Sequence, residues 1–239
     1  MNKLLAIPLL SGSLFLFATA AHAQLKVSIG PVVGETLMKQ HLSNDTKLDY
    51  RFGLVAGAQA YLSWGRFALQ PALLFSQKGS QYATQVLFRT NPSSPDDYLE
   101  FKTRTRLNYL TLPLNFTFAP AGTATGPQFF AGPYVSMLLG GSVEQNELPG
   151  QPASTTAIRV TSEADLYSGP ASRRFDAGLQ AGAGFRYNGL VLQAHYSLGL
   201  TSTKPDYTSQ SATVTNDLKV YNRGFQVSIG YLFAMTHEK

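Results

Sequence analysis

From residue 25 onward, apolar and polar positions alternate with period two over eight separate stretches. None repeats at the 3.6-residue period of a helix. The apolar positions of these stretches run over 25–33, 52–62, 67–75, 110–118, 129–139, 175–185, 190–200 and 225–233. The intervening positions are small or polar, such as Ser28, Gly57, Gln59, Thr117, Ser136, Gly178 and Ser197. Each stretch spans nine to eleven residues. A strand tilted across a bilayer needs about 9–11 residues, whereas soluble strands cluster near five or six. The pattern therefore predicts eight membrane-length strands.

The connections between the stretches alternate short and long. Ser63, Trp64, Gly65 and Arg66 form one tight hairpin, and Asn188-Gly189 forms another with the dipeptide favoured in type I′ turns. Residues 120–126 make a slightly longer turn. The other connections, 37–49, 78–105, 141–172 and 201–219, are long and polar. A two-residue turn at Trp64-Gly65 is expected to pair Leu62 with Phe67, and one at Asn188-Gly189 to pair Tyr187 with Leu190. Aromatics gather at two levels. Trp64, Phe67, Phe118, Phe129, Phe185, Tyr187, Tyr231 and Phe233 lie at the short-turn end, and Phe52, Phe75, Phe175 and Phe225 at the other. Two such girdles suit a barrel embedded in lipid. A soluble lipocalin-like barrel would invert the faces, but the Gly- and Gln-rich face carries too little charge to coat a soluble surface.

Composition narrows the class further. Residues 1–23 read as a secretory signal peptide, with Lys3 ahead of a short apolar core and Ala21-His22-Ala23 before the cut. Cleavage between Ala23 and Gln24 leaves residues 24–233 as the barrel and 234–239 as a short tail. The absence of cysteine excludes disulfides, thiolate chemistry and a lipid-anchored N-terminus. A net charge of +5 is scattered, and export argues against nucleic acid as a partner. No later apolar run approaches the length of a membrane helix. The fold class is thus all-β, an eight-stranded antiparallel up-and-down transmembrane barrel. An even strand count places both termini in the periplasm and the long loops outside.

With these segments placed, the chain resembles the Bacteroidota outer-membrane β-barrel family described as porin-like or PorT-like. The resemblance lies in residues 107–114 (LNYLTLPL), 130–135 (FAGPYV), 176–185 (DAGLQAGAGF), 196–200 (YSLGL) and the closing stretch 222–233 (NRGFQVSIGYLF). It covers nearly all of the chain after the signal, and it implies a fold and a membrane more than a reaction. One departure is the tail after Phe233, where barrel assembly signals usually end on a terminal aromatic. Either the assembly machinery tolerates the tail or it reads the strand internally.

The lumen side carries Gln59, Gln70, Asn115, Gln180, Gln193, His195 and Gln226. Because eight strands enclose an interior just wide enough for side chains, a packed hydrogen-bonded plug is the preferred reading and a polar solute path the alternative. Asp176 and His195 share this side, yet register separates them by six residues, roughly 20 Å, so they form no dyad. No catalytic, cofactor or metal-binding motif is found, and His41 and His237 fall in a loop and in the tail. Charge gathers in the long loops, at Asp96, Asp97, Glu100, Lys102, Arg104 and Arg106, and at Glu144, Glu147, Arg159, Glu163 and Asp165. Solvated loop charge is the ordinary reading, binding of an extracellular ligand the sharper one, and calcium at Asp96-Asp97 a weak candidate. The partners expected are outer-membrane lipid and, during biogenesis, periplasmic chaperones and the barrel assembly machinery. The leading function is a structural, binding or limited-permeability role without catalysis. A small-solute diffusion pore (porin) is the alternative, and a barrel-embedded hydrolase trails both.

Overall fold

The computed structural model describes residues 25–44, 48–88, 97–146, 153–165, 169–208 and 218–235. The signal segment with its Ala23/Gln24 junction, Asp96, Glu147 and His237 lie outside these residues. Eight long strands stand out among them: β1 (Lys26–Leu42), β2 (Arg51–Trp64), β3 (Phe67–Phe88), β4 (Asp97–Phe118), β5 (Gly126–Gln145), β6 (Phe175–Tyr187), β7 (Leu190–Gly199) and β8 (Val220–Tyr231). Each pairs antiparallel with its neighbours in sequence, and β8 pairs with β1, so the sheet closes on itself. Phe233–Ala234 prolongs β8 along β1.

Register fixes the dimensions of the ring. Lateral pairs lead from Val27 to Leu62, Leu69, Phe116, Ala131, Ala181, Tyr196 and Phe225, and return to β1 at Leu37. The circuit thus climbs ten residues along β1. For eight strands about 4.8 Å apart rising about 3.3 Å per residue, this tilts the strands by roughly 41° and gives a radius of about 8 Å. The climb is an even number, so outward residues meet outward residues all the way round. On the outer wall Leu54 is 60% and Phe129 55% exposed, whereas lumen-side Gln59 and Asn115 are 3% and 5% exposed. Apolar side chains face out and polar ones in. Glu35 interrupts the outer wall between Leu54 and Val227, near the long-loop rim, where acidic side chains cost little.

Two local expectations need correction. The first turn is Gly65-Arg66 rather than Trp64-Gly65, so Trp64 opposes Phe67 and Leu62 opposes Leu69. Gly65 has φ of 61°, the left-handed first position of a type II′ turn that glycine fills without strain. Asn188 and Gly189 both take positive φ, and Tyr187 opposes Leu190 as expected. Second, much of segment 78–105 is strand, because β3 and β4 pair continuously to Phe88 and Asp97. His41 likewise lies on β1 opposite Tyr221 rather than in a loop. Above the lipid both faces of a hairpin are wet, so hydrogen bonding continues where alternation fades. Leu139, exposed on the outer side as expected, is an extra residue in β5, a bulge opposite Asn108 and Tyr109. It turns Ser142 and Glu144 to the same side as Arg106 and Arg104.

Close strand approach leaves no room for side chains at several lumen glycines. A Cβ at Gly182 would collide with Ala194 O and with Cα and Cβ of His195, whereas one at Gly140 would meet nothing within 4 Å. Gly182→Ala is expected to lower stability by about 1–3 kcal/mol, the usual cost of overpacking, and Gly140→Ala to change it little. Urea unfolding from lipid vesicles reads the difference, and equal midpoints would contradict the close approach.

Candidate functional site in the barrel interior

The interior is filled in layers from the short turns upward. At the base, Tyr61, Ala68, Val191 and Leu232 form a buried cluster. Tyr61 donates to Gln128 Oε1 at 3.2 Å, and the Arg186 guanidinium lies 4.8 Å from the Tyr61 ring centroid while donating to Thr123 O at 3.0 Å.

Next comes an amide layer. Gln70 donates to Gln59 at 2.8 Å and exchanges hydrogen bonds with Gln193 at 3.1 and 3.0 Å. Gln180 donates to Asn115 Oδ1 at 3.0 Å, and His195 packs edge-on against Phe130. Gln59, Gln70, Asn115, Gln180, Gln193, His195 and Gln226 all border one void of about 20 Å³. Gln226 is half-buried and the other six are buried. A void that size holds about one water, and Val32, Val55 and Leu74 pack above it.

The long-loop end holds an ion pair that the loop assignment of Lys78 conceals. Lys78 Nζ lies 2.8 Å from Asp176 Oδ2 and donates to Ser136 Oγ at 3.1 Å, with the two charged side chains 4% and 0% exposed. The ring centroids of Tyr134 and Tyr109 lie 4.5 and 4.9 Å from the ammonium, close enough for cation–π attraction. Asn222 donates to the same Asp176 oxygen at 3.0 Å. A signal existed in the sequence: Lys78 continues the lumen-facing parity of Gln70, Ala72 and Ser76, and a lone lumen Asp176 calls for a cation. His195 stays apart from this centre, opposite Gly182, six residues along β6 from Asp176.

The third and fourth long loops close over the pair. Ile158 is buried against Leu107, Tyr109 and Leu138, and its N–H donates to Gly141 O at 2.9 Å. Ser154–Ala157 adds to the edge of β5, and Arg159–Val160 pairs with Ala171–Ser172. Glu163–Asp165 pairs with Asp206–Thr208, and Arg173 forks onto both Asp206 carboxylate oxygens at 2.8 and 2.9 Å. The described parts of the cap are therefore largely paired β structure. Among the described residues no group of three or more His, Asp or Glu is placed to hold a metal ion.

Removing one partner of a buried ion pair strands the other charge, at about 3–5 kcal/mol. Lys78→Met is expected to lose that much, and Lys78→Met/Asp176→Leu to recover most of it, when unfolding is followed in urea. A single variant as stable as the parent would contradict the pair's role in closing the lumen.

Residues 21–205 match the family model described as outer membrane protein beta-barrel domain. Among solved structures the chain is similar to Ail, the attachment invasion locus protein of Yersinia pestis, at 12% identity over 86% of this chain and 98% of that one, with a TM-score of 0.43. Neisserial surface protein A is similar at 12% identity over 87% and 97%, with a TM-score of 0.42. No match is found among curated proteins.

Proposed function

Because the chain belongs to the outer membrane protein beta-barrel domain family, we propose that it serves as a closed, non-catalytic barrel with a structural or ligand-binding role, not as a diffusion pore. The observation that carries the reading is the plugged lumen. Gln59, Gln70, Asn115, Gln180, Gln193, His195 and Gln226 crowd a void of about 20 Å³, and the Lys78–Asp176 pair and the Ile158 cap lie beyond it. A solute path requires a continuous wet channel, and three successive packed layers oppose one.

In this reading the long loops and the upper β3–β4 hairpin face the outside of the cell, and both termini face the periplasm. Residues 1–23 are a signal removed between Ala23 and Gln24, and residues 234–239 are a tail tolerated during assembly. Lipid surrounds the apolar wall, and periplasmic chaperones and the barrel assembly machinery act during biogenesis. Any extracellular ligand meets the cap formed by the third and fourth loops, whose described segments pair as short strands.

Planar-bilayer recording separates the two roles. The folded protein is expected to insert without stepwise conductance, and reproducible unitary steps across many insertions would establish the pore instead.

A further inference from the structure

At the long-loop rim, where β2, β3, β4 and β5 pass, three arginines line one cleft: two stand on the outward face of β4, and the third, Arg51, starts β2 opposite lumen-side Met38. Arg106 and Arg104 lie on β4 and are exposed, two and four residues beyond Asn108 along the face that carries Leu110. Arg51 opens β2 and lies within electrostatic reach of both. Together with Glu144 and Phe52 they line an open cleft of about 450 Å³. Glu144 is the only carboxylate among the described lining residues, so three guanidiniums face one negative charge. Arg51 Nη1 is buried and makes no hydrogen bond, and a buried charged donor without an acceptor calls for one. As loop residues, Arg104 and Arg106 would be dispersed solvated charges; the continued β4 strand and the Leu139 bulge instead bring them beside Glu144 on one surface.

We propose that this cleft binds the phosphate headgroup of a membrane lipid bearing a phosphomonoester. Arginine forks match phosphate oxygens in pairs, which favours this anion over a carboxylate. The apolar surroundings favour a lipid over a soluble ion. Phe52, 69% exposed, lines the cleft, and Leu54, Phe75 and Leu139 continue the exposed apolar wall beside and below it. A phosphate held by the arginines leaves its acyl chains lying down that wall. The inference rests on the membrane placement given above, with the long-loop rim at the headgroup level.

The test uses the full chain folded in detergent, exchanged into phosphatidylcholine nanodiscs containing phosphatidic acid, and read by native mass spectrometry. About one phosphatidic acid is expected to stay bound per barrel. Arg104→Gln/Arg106→Gln is expected to lower its retention about tenfold or more. Lys39→Gln/Arg223→Gln, a basic pair facing each other elsewhere on the rim, is expected to leave retention unchanged. Inorganic phosphate alone, up to millimolar concentration, is expected not to displace the lipid. Equal retention by the two double variants would overturn the site. Displacement by inorganic phosphate would overturn the assignment to a lipid in favour of a soluble anion. Heat-modifiable gel mobility on the same samples reports the barrel itself. An intact barrel that retains no phosphatidic acid therefore sinks this site and leaves the proposed function standing.

Discussion

Closure of the backbone hydrogen-bond ring is the constraint on which the rest of this structure depends. Inside a bilayer no water is available to an unpaired strand edge, so β8 must return to β1. The return occurs ten residues up, from Phe225 to Leu37, and that offset together with the strand number sets tilt and radius. An even offset lets the alternation of one strand agree with that of the next. The outer wall can then be apolar all round while the inner wall is polar, as the lateral circuit from Val27 to Leu37 illustrates.

The narrow radius decides what the lumen becomes. At about 8 Å from axis to backbone, glutamine-length side chains from opposite walls meet, and Gln70 of β3 bonds Gln193 of β7 across the interior. Lys78 of β3 likewise reaches Asp176 of β6. Where two strands approach most closely even a methyl group does not fit, and glycine remains, as at Gly182. Polar residues in such an interior form a packing problem solved by hydrogen bonds, and the ion pair with its two tyrosine rings is the most demanding part of that solution. The cap follows from the same geometry, since Leu107 and Leu138 rise above the pair and need the cover that Ile158 provides.

The sequence was legible wherever lipid lies on one side and packed side chains on the other. Period-two alternation located all eight strands and their two faces, and the Asn-Gly dipeptide located the turn at Asn188-Gly189. It faded where both faces meet water, which is why the extension of β3 and β4, and with it Lys78, Arg104 and Arg106, read as loop. The slip at Gly65-Arg66 arose because Trp64 fits equally as a strand end or a turn residue; the pairing of Trp64 with Phe67 distinguishes them. The Leu139 bulge left no mark, because an inserted residue at a rim rich in glycine disturbs no hydrophobic pattern.

The assignment of faces is the claim from which every other one descends, and neighbouring residues of β5 test it directly. Val135 is 51% exposed on the outer wall and Tyr134 is 2% exposed in the lumen. The chain has a single tryptophan, so Trp64→Phe gives a silent background for Val135→Trp and Tyr134→Trp. In vesicles of lipid brominated on the acyl chains, fluorescence of the Val135→Trp variant is expected to be strongly quenched and that of Tyr134→Trp to be spared. Quenching of the Tyr134→Trp variant with sparing of Val135→Trp would invert the barrel and contradict the account.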